Sequence, residues 1–296
     1  MINNSFDSKL SECLIHHSII SKPEDLNNKN QSDLIKQFQT TKGLTADGVP
    51  GPDTLWALQE EVILSKDKLK LVEVPVDKFD GIWGLEKGVF REDAATKFEA
   101  LKNDVHEKGG KIGLSAGIRD IKIVAGRGQS PTSMHYPGLA FDLNIKAGFF
   151  NPDNDIYVMT KVPTPHKSDA NRYRWNVFCK SELGEEMDLE AYYWENEKSG
   201  VDLTKKIIGK FIDFTALAGK HGFSPIRPHS CFRRETNRFY ICCEWWHFQL
   251  NELLTPKFSQ FGVEIMKIDG FTPEFLQQTN PRIWEARKSV YFKTWW

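Results

Sequence analysis

Residues 133–142 read SMHYPGLAFD, a stretch that joins a YPG turn to alternating apolar and polar side chains. Phe141 and Leu143 share one face of an extended chain, and Asp142 lies on the other face. Alternation with a period of two predicts a half-buried β-strand over residues 139–145. Proline and glycine directly before it predict a sharp turn. The sequence therefore places a histidine just before a turn and an aspartate on the strand that follows it.

Two histidines and one aspartate form a candidate metal site. Zinc is bound by imidazole nitrogen and carboxylate oxygen, and a catalytic zinc site uses three protein ligands and keeps one position open. His135, Asp142 and His247 supply that set. We expect His135 to fold back toward the ligand on the strand, because glycine and proline permit the reversal. His247 is expected to arrive from a neighbouring strand.

Glu244 lies three residues before His247 in the sequence EWWH. In a regular strand that spacing puts the two side chains on opposite faces. We therefore expect a bend or bulge at Glu244 and Trp245 that aims the carboxylate at the attacking water. Glu244 would then be the catalytic base. A metal-free structural cluster is the alternative interpretation of these residues.

The pattern SxHxxGxAxD, followed further along the chain by ExxH, resembles the D-Ala-D-Ala carboxypeptidase type of zinc peptidase. That group includes vancomycin-resistance dipeptidases and carboxypeptidases, and phage endolysins that cut L-Ala-D-Glu bonds. The resemblance covers residues 85–252. It implies that His135, Asp142 and His247 bind Zn²⁺ and that Glu244 is the base.

The same resemblance implies a substrate-binding arginine. The family's SGYR element appears here as SAGIR over residues 115–119, with Ala116 inserted and an aliphatic residue in place of the aromatic one. Arg119 is the implied arginine, and Arg127 is the alternative. An insertion over residues 148–200 also departs from the compact members of the family and leaves the shape of the substrate groove open.

Residues 35–58 read IKQFQTTKGLTADGVPGPDTLWAL. This pattern predicts a helix, a glycine-bounded turn, an extended Pro/Gly loop and a second helix that starts near Pro52. The segment resembles the small three-helix peptidoglycan-binding module found beside many wall hydrolases, over roughly residues 8–62. A generic helical cap is the alternative. The resemblance implies that residues 1–66 hold the chain on the bacterial cell wall.

Patterns elsewhere predict a mixture of helices and antiparallel strands. Helical periodicity predicts helices over residues 91–107 and 203–221. Further strands are predicted at 111–115, 121–125, 156–162, 173–179 and 239–250. Because strands and helices do not alternate as βαβ units, we expect an α+β fold. The resemblances imply a small three-helix module and a zinc peptidase domain whose central antiparallel sheet is flanked by helices. The expected division is a module at 1–66, a linker at 67–76 and the peptidase domain at 77–296.

Composition argues against several classes of protein. Hydrophobic residues at 40% and charged residues at 27% are ordinary for a globular chain. A net charge of −1 gives no basic field for nucleic acid. No apolar run reaches the roughly 18 residues of a membrane span. Residues 1–20 lack the pattern of a secretory signal. We therefore expect a protein made in the cytoplasm that acts in the periplasm or cell wall after release or injection. We also expect a monomer.

Several other conspicuous residues are expected to have structural roles. The five cysteines show no CxxC spacing and fit synthesis in a reducing compartment. We expect packing, capping or solvated-surface roles for His221, His229, Trp245, Trp246, Cys242, Cys243 and the basic run at 227–238. The alternatives are that the two tryptophans line a peptide cleft and that the basic run contacts wall carboxylates.

Together these expectations describe a two-part peptidoglycan hydrolase. The sequence predicts a zinc metallopeptidase that cleaves the stem peptides of the bacterial wall. By family resemblance it would be an endolysin-like L-Ala-D-Glu endopeptidase. The alternatives are a D-alanyl-D-alanine carboxypeptidase for wall remodelling and a non-catalytic wall-binding protein with a structural zinc ion.

Overall fold

The computed structural model describes residues 5–123, 130–163, 173–194, 203–226 and 244–292. In chain order the helices are α1 (Ser5–His16), α2 (Asp25–Asn28), α3 (Gln31–Thr41), α4 (Pro52–Leu64), α5 (Glu92–Glu107), α6 (Phe214–Lys220), α7 (Phe261–Met266), α8 (Pro273–Thr279) and α9 (Pro281–Ala286). The strands are β1 (Leu71–Pro75), β2 (Lys87–Arg91), β3 (Leu114–Ala116), β4 (Ala140–Leu143), β5 (Tyr157–Pro163), β6 (Tyr173–Tyr193), β7 (Leu203–Asp213), β8 (Phe223–Pro225) and β9 (His247–Leu250). Helices mixed with antiparallel sheets confirm the α+β class.

The chain folds into two compact units, each built from separate segments. The first contains Met1–Lys70, Asp120–Pro137 and Leu254–Lys293. The second contains Leu71–Arg119 and Gly138–Leu253. The predicted division runs along the chain from module to linker to peptidase domain, whereas these units are discontinuous. Residues near the C-terminus belong to the same unit as the N-terminal helices.

The first unit is helical. Its N-terminal part contains four helices, α1 to α4, where three were expected, and α4 starts near Pro52 as expected. The side chain of Asn30 accepts a hydrogen bond from the Ser32 amide at 3.1 Å and caps α3. Helix α4 begins at Pro52, where the missing amide of proline costs no hydrogen bond. The core between these helices is formed by apolar side chains of α1 to α4 and of Phe258 in the C-terminal segment.

Buried amides join α4 to the C-terminal segment inside this first unit. The side-chain nitrogen of Gln59 donates to the carbonyl oxygen of Phe258 at 3.1 Å and to Oε1 of Gln260 at 3.2 Å. The side-chain nitrogen of Gln260 donates to the carbonyl oxygens of Pro52 at 2.8 Å and Lys288 at 3.0 Å. Each bond satisfies a polar group that burial would otherwise destabilise.

The second unit is built around a four-stranded antiparallel sheet with the strand order β3-β4-β9-β8. One face of this sheet carries aromatic residues. The rings of Phe141 and Phe248 stack at 5.5 Å between centroids, and Phe98 of α5 lies 5.1 Å from Phe141. The predicted helical periodicity is confirmed in α5, where Ala94, Phe98 and Leu101 are buried. The aromatic face therefore forms the core beneath the sheet.

Strands β5, β6 and β7 form a separate three-stranded antiparallel sheet in the second unit. This sheet confirms the predicted strand pair at 156–162 and 173–179. The first half of β6 pairs mainly with β5, and its second half pairs with β7. The register of β6 against β7 shifts between Lys180 and Glu185. The sheet extends beyond residues 148–200, because it includes β7.

The helix predicted at 203–221 is wrong over its first half. Residues Leu203–Asp213 form β7, and only Phe214–Lys220 form a helix. The buried residues Ile207 and Phe211 are four apart, a spacing that fits both the helical period and the strand period. Pairing with β6, where Leu189 lies opposite Ile207, selects the strand.

Two predicted strands differ in the structure. Strand β3 is shorter than the predicted stretch at 111–115 and ends one residue later. Residues 121–123 lie in a turn, and residues 124 and 125 lie outside the described part of the chain. Ile121 is buried there without a strand, and its carbonyl oxygen accepts a hydrogen bond from the side chain of Asn280 at 2.8 Å. Burial alone gave the apolar signal that resembled a strand.

Among the residues that the structure describes, the helices are all too short or too polar to cross a bilayer.

Candidate metal centre

Asp142 and His247 face each other across the two central strands of the four-stranded sheet. They are direct partners in the antiparallel pairing of β4 with β9, so their side chains lie on the same face. The neighbouring pair, Phe141 and Phe248, lies on the opposite face and stacks in the core. Because side chains alternate along each strand, the aromatic rings pack on one face of the sheet, and Asp142 and His247 lie together on the other face.

His135 is held in the turn that precedes β4. The amide of Tyr136 donates to the carbonyl oxygen of Ser133 at 3.1 Å, and the His135 amide donates to Oγ of Ser133 at 3.4 Å. The phenol of Tyr136 donates to the carbonyl oxygen of Ile123 at 2.8 Å. Gly138 ends the turn with a φ of +67°, a conformation that glycine adopts without a steric cost. The reversal expected at this glycine is present.

Together the three side chains form a compact group, here called the His/Asp cluster (His135, Asp142 and His247). One ligand atom from each lies within 4.8 Å of the other two. Nδ1 of His247 lies 3.0 Å from Oδ1 of Asp142. Both histidines are buried, and the aspartate is partly exposed. This group could bind a metal ion.

The donor set fits a transition-metal ion. Two imidazole nitrogens and one carboxylate oxygen are ligands that zinc accepts. Nδ1 of His247 and Oδ1 of Asp142 are 3.0 Å apart, the distance of a hydrogen bond between them, and the three ligand atoms all lie within 4.8 Å of one another. The choice of Zn²⁺ over other ions stays a prediction, because the same donors also suit other divalent metals.

Glu244 begins a turn immediately before β9. Its backbone has a φ of +51°, and its carbonyl oxygen accepts a hydrogen bond from the His247 amide at 3.2 Å. The chain therefore bends where the sequence requires it. In the described residues, the carboxylate of Glu244 is not among the ligand atoms of the His/Asp cluster. A base that acts through water does not need to be a ligand, so its role stays a prediction.

The two tryptophans after Glu244 are packed, as expected. Trp245 and Trp246 are both buried, with ring centroids 5.8 Å apart. Trp245 also lies 6.1 Å from the ring of Tyr157. Burial raises the pKa of Tyr157 well above its ordinary value, and its hydroxyl accepts a hydrogen bond from the Gly113 amide at 3.0 Å. The rings of this turn are therefore packed inside the second unit.

The SAGIR segment passes beside the cluster at the edge of the same sheet. Ala116 is the pairing partner of Asp142, and the register of β3 shifts between Leu114 and Ala116. Arg119 follows three residues later and is partly exposed. Arg127, the alternative substrate arginine, lies outside the described residues. The assignment of Arg119 to substrate stays a prediction.

His221 packs at the end of α6, as expected. Its Nε2 lies 3.2 Å from Oδ2 of Asp104, and His221 is the C-terminal cap of the helix. The other residues given structural roles lie outside the described part of the chain: His229, Cys242, Cys243 and the basic run at 227–238.

Sequence reasoning missed Arg91, which is fully buried beside the His135 turn. Its guanidinium pairs with the Asp93 carboxylate through two hydrogen bonds of 2.7 Å and 2.8 Å. Its backbone amide donates to the carbonyl oxygen of Gly138 at 3.2 Å. The sequence offered a weak signal, because an arginine two residues before an aspartate at a helix start is common on surfaces.

Searches against protein-family models, curated proteins and solved structures each found no match to this chain. The resemblance to zinc peptidases therefore depends on the motifs of this sequence.

Proposed function

We propose that this protein is a zinc-dependent peptidoglycan peptidase that cleaves the stem peptides of the bacterial cell wall. The observation that carries the proposal is the convergence of two motifs distant in sequence. His135 and Asp142 come from SxHxxGxAxD and His247 from ExxH, and their ligand atoms lie within 4.8 Å of one another. Glu244 lies in the turn that leads directly into His247. A set of three ligands and a carboxylate that acts as base are the groups that metal-assisted hydrolysis of an amide bond uses.

The residues of the chain have distinct roles in this proposal. His135, Asp142 and His247 would hold the ion. When bound, zinc polarises a carbonyl group and makes water nucleophilic near neutral pH. Glu244 takes the proton of the attacking water and returns it to the leaving amine. Arg119 stabilises the negative charge that develops on the carbonyl oxygen of the substrate.

The N-terminal helices would hold the enzyme on the wall. Their loop between α3 and α4 is rigidly built, which supports a binding role. The buried side chain of Gln39 donates to Oδ1 of Asp47 at 2.8 Å and to Oγ1 of Thr54 at 3.0 Å, and it accepts from the Gly48 amide at 2.8 Å. Val49 at the tip of this loop is 58% exposed. A fixed loop with an exposed apolar tip suits contact with a polymer.

The substrate bond in this proposal is L-Ala-D-Glu. A wall-anchored enzyme that breaks stem peptides weakens the mesh, whereas removal of a terminal D-Ala leaves the mesh intact. Anchoring raises the effective concentration of the catalytic residues at internal bonds. In this proposal the protein acts as a monomer in the periplasm or cell wall.

Product analysis tests the function. Purified sacculi are digested with the protein in the presence of Zn²⁺, and the released fragments are identified by mass spectrometry. Stem peptides with a new free amino group on D-Glu support the proposal. Muropeptides shortened only by a terminal D-Ala would assign a carboxypeptidase. Bound zinc without any released fragment would assign a structural metal and a non-catalytic wall-binding protein.

A further inference from the structure

A β-bulge in strand β3 absorbs one residue beside the His/Asp cluster. Leu114 pairs with Leu143, and Ala116 pairs with Asp142, so two steps along β3 match one step along β4. Ser115 is the extra residue, and its hydroxyl donates to the carbonyl oxygen of Leu143 at 2.9 Å. The bulge therefore decides which side chain of the SAGIR segment stands opposite Asp142.

The residue that the bulge selects is Ala116. Because Ala116, Asp142 and His247 are successive partners across three neighbouring strands, their side chains form one row on the same face of the sheet. The Cβ atoms of directly opposed residues are about 4.5–5.5 Å apart. The methyl group of Ala116 therefore lies next to the carboxylate of Asp142.

Exposure shows which side of the row is open. Ala116 and Asp142 are both partly exposed, whereas His247 is buried. A group that lies against the exposed part of the carboxylate therefore has residue 116 as a direct neighbour. The methyl group of alanine takes up little of that space.

The backbone behind Ala116 is fixed. The Ile118 amide donates to the carbonyl oxygen of Val89 at 3.0 Å. A Cβ added at Gly117 would lie 3.1 Å from the Val89 nitrogen. The backbone next to position 116 therefore cannot move toward β2 to make room for a larger side chain.

We propose that Ala116 is a specificity-determining residue that limits the size of the group able to lie against Asp142. This inference rests on the proposed peptidase function and adds a constraint to it. The substrate residue beside the scissile carbonyl must carry a small side chain, such as the methyl group of alanine. Ala116, which is inserted relative to the SGYR element, is thereby part of the substrate site.

A size series at position 116 tests the inference. Ala116→Gly, Ala116→Val and Ala116→Met are loaded with Co²⁺, whose visible spectrum reports on its ligands, and titrated with acetohydroxamate, a small metal chelator. Ala286→Met, at a partly exposed alanine of the first unit, is the matched control. We expect unchanged cobalt content throughout, and chelator binding about tenfold weaker or more in Ala116→Met. Ala116→Gly and the control should bind as the wild type does.

Each outcome separates this inference from the proposed function. If Ala116→Met keeps cobalt and binds acetohydroxamate as tightly as the wild type, the inference is wrong. If Ala116→Met loses cobalt, Ala116→Val is used instead, and wild-type affinity for acetohydroxamate in that variant shows that the inference is wrong. If the wild type binds cobalt and acetohydroxamate but releases no wall fragment, the peptidase proposal fails. The size limit at Ala116 is then tested by acetohydroxamate binding alone. A wild type that retains no cobalt overturns both.

Discussion

Gly138 and Arg91 touch through their backbones at the end of the His135 turn. The Arg91 amide donates to the carbonyl oxygen of Gly138 at 3.2 Å, and a Cβ at Gly138 would lie 2.7 Å from the Arg91 nitrogen. The turn can therefore close only around a glycine. Because Gly138 lies between His135 and Asp142 in the sequence, the contact holds the chain at the point where it enters β4.

Gly138→Ala should destabilise the protein by about 2 kcal/mol or more, because the left-handed backbone and the close contact both exclude a side chain. Urea denaturation of the metal-free protein measures this cost. Gly219→Ala is the matched control, since Gly219 lies in α6 with no atom within 4 Å of an added Cβ. The control should be neutral or slightly stabilising. Equal stability of Gly138→Ala and wild type would contradict the contact.

Loss of a ligand should abolish metal binding. His247→Ala should retain far less zinc than the wild type after dialysis, because one of three expected ligands is removed. Metal analysis by mass spectrometry gives the stoichiometry. Thermal unfolding with and without EDTA gives the linked stability, and chelation should destabilise the wild type but not His247→Ala. His106→Ala, at an exposed histidine of α5, should behave as the wild type does.

Glu244→Gln should retain zinc and lose hydrolysis. The amide cannot accept the proton of the attacking water, so the rate on sacculi should fall by about 100-fold or more. Turbidity loss of sacculi and the zinc content are measured on the same preparation. Glu99→Gln, at an exposed glutamate of α5, is the control. Activity near that of the control would remove Glu244 from the mechanism.

The backbone of Glu244 should carry a measurable strain. Its φ of +51° is unfavourable for a residue with a Cβ and permissible for glycine. Glu244→Ala and Glu244→Gly both remove the carboxylate, so the difference between them isolates the backbone. We expect the glycine variant to be more stable by about 1 kcal/mol in denaturant unfolding. An alanine variant of equal or greater stability would show that this turn relaxes.

The buried amide pair should be essential for the first unit. Gln260→Ala leaves the carbonyl oxygens of Pro52 and Lys288 without their buried donor, at a cost of about 2 kcal/mol or more. Gln277→Ala, at an exposed position of α8, is the matched control and should change stability little. Urea denaturation monitored by tryptophan fluorescence compares the two. A cost no larger than that of the control would mean that the network is dispensable.

The cluster was predictable because its signals are local. The alternation around Phe141 and Asp142 fixes the faces of β4, and the glycine at 138 marks the turn that His135 needs. Only the pairing of β4 with β9 spans a long stretch of sequence, and the resemblance of the ExxH motif to zinc peptidases nominated His247. Local chemistry and that resemblance together named three residues that the fold brings together.

The remaining features depend on long-range partners. Ile207 and Phe211 are spaced alike in a helix and a strand, and only the β6 partner decides between them. The bulge at Ser115 is defined by the register against β4 and has no signal in the segment itself. Gln59 and Gln260 look like ordinary surface glutamines until the fold places them together. Each of these features depends on a partner in another strand or helix that is distant in the sequence.

The discontinuity of the first unit has a consequence for its synthesis on the ribosome. Gln59 and Phe258 are 199 residues apart, so at roughly 5–20 residues per second the second emerges about 10–40 s after the first. During that interval α1 to α4 lack both the ring of Phe258 and the amide acceptors that complete their packing. The nascent N-terminus is therefore exposed to chaperones and proteases until the last part of the chain has been translated.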